Sequence, residues 1–144
     1  MELIMTRFVA AVLSLLLISG TVHAQSGETP ATLENVKTVT SEQAKDLIAK
    51  GAKVYDFRRK TAYADGHIPG AVSGSSAYNS ETKQVDAAVF GANKDLVIII
   101  HGHGSDGWTA VAAAKSAAAA GFKNVNWLRA GWAEWQAKGF PVEQ

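Results

Sequence analysis

The sequence predicts an α/β domain with a mainly parallel central sheet of about five strands flanked by helices. Three observations carry that prediction. Short apolar runs alternate with helical stretches from Val36 to the end of the chain. The run Leu96 to Ile100 (LVIII) is uninterrupted and β-branched, as befits a strand covered on both faces. Glycines at 51, 66 and 121 stand where helical stretches should stop.

The chain opens on a segment that does not read as part of the fold. Arg7 precedes the apolar run Phe8 to Ile18 (FVAAVLSLLLI), and Val22-His23-Ala24 follows as a small-residue cleavage pattern. A basic residue, an apolar stretch and such a site describe a secretory signal peptide, so residues 1–24 are expected to be removed before Gln25. The apolar run is too short for a spanning helix, which needs about 18 residues or more. Translation starts at Met1 or at Met5, and both readings retain the leader. The expected destination is across the inner membrane, in the periplasm, with no stable membrane anchor after cleavage.

Residues 25–35 (QSGETPATLEN) are polar, carry Pro30 and read as a flexible N-terminal segment ahead of a domain spanning 36–144. Val36 and Val39 mark a short strand. Thr40-x-x-Gln43 forms a capping-box pattern for a helix that reaches Lys50. Val54 to Phe57 is the next strand, and Arg59 to Asp65 a short helix. The run His67-Ile68-Pro69-Gly70 fixes a tight turn before a strand near Ala71-Val72. Ser73 to Gln84 is too polar to pack and is expected on the surface, and Ala87 to Ala92 is expected to hold one helical turn. After Leu96–Ile100, a helix should run from Trp108 to Ala120, a strand from Val125 to Leu128, and a final helix from Gly131 through Lys138.

Composition excludes several functions. With 14 Lys plus Arg against 13 Asp plus Glu, the net charge is +1, which gives no electrostatic case for nucleic acid as a partner. The chain contains no cysteine, which excludes disulfides, thiolate metal sites and every sulfur nucleophile.

In an open α/β sheet, ligands sit beyond the carboxyl ends of the strands. The connection from Ile100 to Thr109 has the right equipment for this. Gly102, Gly104 and Gly107 let the backbone curl with amides pointing inward, and the positive end of the next helix attracts an anion. The alternative is that these glycines only make a tight turn.

Four stretches resemble the rhodanese-like (sulfurtransferase) domain family. They are Asp56-Phe57-Arg58 with Tyr63 and Gly66-His67-Ile68-Pro69-Gly70-Ala71; the strand Leu96–Ile100 running into a loop and helix; Gly121-Phe122-Lys123-Asn124-Val125 with Leu128-Arg129-Ala130-Gly131-Trp132 and Trp135; and the ending Gly139-Phe140-Pro141-Val142-Glu143. The longer loop and the ending are similar to small exported single-domain bacterial members. The resemblance implies the rhodanese-like fold, with a cysteine as first residue of the loop carrying sulfane sulfur as a persulfide. His101 stands in that place, and an imidazole forms no persulfide. Asp106 opposes the positive field of the cradle, and no Arg or Lys follows in the loop before Lys115. Sulfurtransferase activity is therefore not expected, and no cofactor is implied.

The loop His101-Gly102-His103-Gly104-Ser105-Asp106-Gly107 then reads as a degenerate active site. The expected function is a binding or accessory module using this loop, with His101, His103, Trp108 and Thr109 as binding residues for a small anion or a partner protein. The competing reading is a metal-binding protein in which His101, His103 and Asp106 hold Zn or Cu. Phosphoryl transfer through His101 is disfavoured, since an arginine-free loop binds phosphate poorly. Asp56 and Arg58 are expected as a fold-stabilising pair. His67 is expected to donate to a backbone carbonyl and hold its turn. Trp127, Trp132 and Trp135 are expected to pack in or beside the core.

Overall fold

Thr40 closes a capping box. Its hydroxyl accepts the amide of Gln43 at 3.1 Å while the Gln43 side chain accepts the amide of Thr40 at 3.0 Å. This pair starts the first helix as its spacing predicts. The structure, a computed structural model, describes residues 27–144; the expected leader and its cleavage point lie outside them. In chain order the elements are β1 (Lys37–Thr38), α1 (Ser41–Ala49), β2 (Lys53–Asp56), α2 (Lys60–Asp65), β3 (Val72–Ser73), β4 (Tyr78–Asn79), β5 (Gln84–Val85), β6 (Val97–His101), α3 (Trp108–Ala119), β7 (Asn124–Leu128) and α4 (Gly131–Ala137). Short 3-10 turns cover Ser75–Ala77 and Ala87–Phe90. Among the described residues, no helix is long and apolar enough to cross a membrane.

The central sheet has five strands in the order β1-β7-β6-β2-β3, all parallel. Successive side chains of a strand point to opposite faces, and that alternation divides the core in two. Tyr55, Ile98, Ile100, Val125 and Trp127 pack with α3, Phe57, Phe90 and Phe122 on one face. Val54, Ile99 and Leu128 pack with Ala44, Ile68, Trp132 and Trp135 on the other. Ile98, Ile99 and Ile100 are fully buried, which explains why β6 reads as a continuous apolar run. Burial of each such side chain stabilises the fold by about 1.5–3 kcal/mol. Alanines 110, 113, 114 and 117 of α3 are also buried, and their small side chains let that helix lie close to the sheet.

Two expectations require correction. Ser73 to Gln84 does pack in part: β4 and β5 form an antiparallel hairpin, Val85 is buried, and Ala77 and Tyr78 lie against the core. Gly74 lies so close to Phe57 that an added Cβ would sit 2.7 Å from its ring, so a polar stretch is seated through a glycine contact. Residues 27–35 are held against the body instead of trailing from it. Thr29 and Leu33 are buried, and Leu33 pairs with Val36. The fold buries them because their backbone finds partners on distant elements, which composition does not reveal.

Candidate functional site

Register decides what lies under the loop. In the parallel pairing, Asp56 of β2 stands beside His101 of β6, and His101 beside Leu128 of β7. Each is on the last layer of its strand, and all three side chains fall on the face that holds Ile99 and Val54. His101 is thus the last residue of β6 and not the first residue of the loop. It is fully buried, its Nδ1 donates to the Gly102 carbonyl at 2.9 Å, and its Nε2 lies 3.7 Å from Asp56 Oδ2. No hydrogen-bond partner reaches that Nε2 among the described residues.

His101 makes no bond to Asp56 because its proton is on Nδ1, so Nε2 and the carboxylate are both acceptors, and the carboxylate is held by Arg58 instead. Oδ1 accepts the amide and Nε of Arg58, and Oδ2 accepts Nε at 3.1 Å and Nη2 at 2.6 Å. Nη2 also donates to the Gly66 carbonyl at 2.7 Å, and the guanidinium lies 4.3 Å over the Trp132 ring. Asp56 and Arg58 therefore form a buried, hydrogen-bonded pair that ties β2 to the turn before His67. Burial pushes the His101 pKa below its ordinary value, and the neighbouring Asp56 charge only partly opposes this. The ring is neutral near pH 7 and carries its proton on Nδ1.

The loop itself is tied from below by its carbonyls. Gly102 and His103 oxygens accept the amides of Trp132 and Ala133 at the start of α4, at 3.0 and 2.8 Å. Gly131 makes this contact possible. Its φ is +63°, and a Cβ there would lie 2.6 Å from the Gly102 oxygen. With the carbonyls turned toward α4, the amides of His103, Gly104, Ser105 and Asp106 donate to no main-chain carbonyl among the described residues. The loop thus keeps a row of unbonded N–H groups next to the N-terminus of the 12-residue helix α3.

Two clefts flank this loop. The front cleft, about 450 Å³, is lined by Phe57, Arg58, Arg59, Trp108 and Thr109 together with loop residues. The rear cleft, about 840 Å³, is lined by Gly104, Ser105 and Arg129 among others; His103 and Asp106 face both. His103, Trp108 and Thr109 therefore line the front cleft. His101 does not. Sheet alternation turns its ring to Asp56, so its expected place on the binding surface is corrected. The same geometry separates the metal candidates: His101 is sealed in the core while His103 and Asp106 are exposed. Among the described residues, no three His, Asp or Glu side chains are grouped to hold a metal ion.

Arg59 was missed in the sequence. It is exposed on the front cleft and supplies the positive charge that the loop lacks. The signal was available, because a residue just past the carboxyl end of a parallel strand belongs at the ligand edge. His67, by contrast, sits as expected: Nδ1 donates to the Tyr63 carbonyl at 2.9 Å, and its ring stacks on Tyr63 at 3.8 Å.

A parallel sheet delivers β6 into a glycine-rich loop of unbonded amides, with the N-terminus of α3 behind it. The rhodanese-like domain model matches residues 40–138. Thiosulfate sulfurtransferase GlpE of Pseudomonas entomophila (strain L48) is 32% identical over 108 residues, which cover 73% of this chain and 89% of that protein. The crystal structure of the Alr3790 protein from Anabaena sp. aligns with a TM-score of 0.58 and 30% identity, over 73% of this chain and 90% of that one. The crystal structure of BH2092 protein from Bacillus halodurans aligns with a TM-score of 0.57 and 26% identity, over 74% and 76% of the two chains. This chain belongs to the rhodanese-like domain family. It does so without a cysteine anywhere in its sequence.

Proposed function

We propose that this protein is an exported accessory member of its family that binds a small oxyanion in the front cleft and transfers no sulfur. The observation that carries this reading is the contrast at the loop. The residue in the cysteine's place is buried and turned away, while the amides of His103 to Asp106 remain unbonded above it. A persulfide needs a thiol on the protein, and the chain has no cysteine to supply one. Anion binding needs only the amides, the start of α3 and Arg59.

Asp106 opposes an anion, and magnitudes decide between the two effects. An exposed carboxylate several ångströms away repels by about 1 kcal/mol in water. Each hydrogen bond from an amide to an ionised oxygen contributes roughly 1.5–3 kcal/mol. Two or three such bonds outweigh Asp106, and the net affinity should be modest. Export is supported by the leader pattern of residues 1–24, and the periplasm is the compartment that pattern fits.

The test uses protein produced with its leader. Its mass should begin at Gln25, and thiosulfate:cyanide turnover should be absent. Titration with sulfate and then thiosulfate should move the backbone amide resonances of residues 102–110, and Arg59→Ala should weaken that response several-fold. Turnover in pure protein, or no movement of these resonances at millimolar anion, would overturn the reading. Zinc added to the same sample should leave His103 unmoved. A stoichiometric zinc response would restore the metal alternative.

A further inference from the structure

The rear of the cradle is occupied by the chain's own N-terminal strap, residues 27–30. Its main chain is held at successive positions by groups on distant elements. The Thr29 amide donates to the Ser105 carbonyl at 2.7 Å, and the Thr29 hydroxyl donates to the same oxygen at 2.6 Å. Arg129, just past β7, donates Nη2 to the Thr29 carbonyl at 2.7 Å and Nε to the Pro30 carbonyl at 3.0 Å. The Trp108 indole donates to the Gly27 carbonyl at 3.0 Å. Thr29 is buried although its neighbours Glu28 and Pro30 are exposed. A flexible lead-in would not have its Gly27, Thr29 and Pro30 carbonyls held by an indole and a guanidinium.

These bonds meet the loop where it lacks other support. The carbonyls of Gly102 and His103 are anchored on α4, and those of Gly104 and Asp106 close short turns onto Gly107 and Trp108. Ser105 lies between them at the crest, and among the described residues its carbonyl is held only from the strap. Its neighbours are the residues whose amides are unbonded. Trp108 lines the front cleft, and its indole N–H is fixed only by Gly27. The strap therefore touches both the crest of the cradle and a wall of the cleft.

We propose that Arg129 and residues 27–30 are the positioning apparatus of the cradle: they pin Ser105 and Trp108, and so preorganise the loop for its anion. The gain in affinity rests on the anion-binding reading above; the rigidity of the loop does not. Arg129 acts through the strap and does not touch the ligand. Its planar fork suits two adjacent carbonyls in a way a lysine ammonium does not. Preorganisation strengthens binding by removing the ordering cost from the binding step.

The experiment compares the full-length mature protein with Arg129→Ala, Arg129→Lys and Thr29→Val. Amide hydrogen exchange is followed by mass spectrometry, and sulfate titration is run alongside. Exchange at the bonded loop amides of Gly107 and Trp108 is expected to speed up roughly tenfold in Arg129→Ala, with exchange in β6 and β7 unchanged. Arg129→Lys should recover only part of the protection. Sulfate affinity should fall about three- to tenfold with the loop. Thr29→Val keeps the strap's shape and removes one bond to Ser105, so it reports even if the arginine variants fold poorly. Faster exchange confined to residues 27–31, with the loop unchanged in Arg129→Ala and Thr29→Val, overturns the proposal. Loss of loop protection in a protein that never binds sulfate would refute the anion reading and leave the positioning role standing.

Discussion

His67 and His101 are both buried, and each gives its Nδ1 proton to a backbone carbonyl 2.9 Å away. They differ at the other nitrogen. His67 Nε2 faces the Glu143 carboxylate at 3.3 Å, on the surface of a turn that is built around the ring and stacked on Tyr63. His101 Nε2, an acceptor because the ring proton is on Nδ1, faces the acceptor oxygens of an Asp56 held by Arg58, and it remains without a bond. The cause lies in the elements that carry them. A loop residue can be placed by its turn so that its ring stacks on a neighbour and its second nitrogen lies toward a half-exposed side chain. A residue on the last layer of a parallel sheet takes the direction that pleat and register impose. A buried polar group is therefore part of the framework at one site and an unresolved tension at the other.

The largest break in this comparison should come from the group beneath His101. Asp56→Ala leaves the buried Arg58 guanidinium with only the Gly66 carbonyl, and stability should fall by about 3–5 kcal/mol, read as a lower urea midpoint. A loss under about 1 kcal/mol would mean that Arg58 swings out to water and that the pair anchors nothing. His67→Leu removes one hydrogen bond, a stacked contact and the approach to Glu143, and should lower stability by about 1–2 kcal/mol. A neutral result would show that the turn is set by Pro69 and Gly70 alone.

Acid sharpens the contrast. Because burial holds the folded pKa of His101 below its ordinary 6.5, the unfolded chain binds more protons than the folded one once the pH drops under that value. Stability contributed by keeping this ring neutral is present above pH 6.5 and is lost on acidification. The slope from this one group reaches up to about 1.4 kcal/mol per pH unit. Urea unfolding between pH 7.5 and 5 should show that slope in the native protein and lose it in His101→Leu. The smallest effect is the substitution itself at pH 7.5. Leucine removes the orphaned nitrogen, and the Gly102 carbonyl keeps its bond from the Trp132 amide. The change should be neutral or stabilising by up to about 1 kcal/mol, whereas a loss above 2 kcal/mol would mean that the imidazole supports the loop.

How far the site could be read in advance depended on how local its cause was. The loop glycines and the start of α3 were legible because chain order places them after an apolar strand. Arg58 beside Asp56 was legible as a nearby pair two residues apart. The facing of His101 onto Asp56 needed the pairing of β2 with β6, across 45 positions of chain, and an argument about which face each side chain takes. Gly131 read as a helix start; that it must lack a Cβ to meet the Gly102 carbonyl came from packing alone.

The sequence by itself determined the order of the five central strands and four α-helices, the Thr40–Gln43 cap, the doubly covered strand and the absence of any sulfur chemistry on cysteine, since each depends on residue type or spacing within a turn or two of chain. Only the tertiary structure decided that His101 is sealed away from the cleft, that Arg59 brings the charge to it, and that Arg129 holds the Thr29 carbonyl across 100 residues of sequence. The physical reason is range. Propensity and capping act between neighbours, whereas register, close backbone approach and strap contacts exist only after the sheet has brought distant segments together.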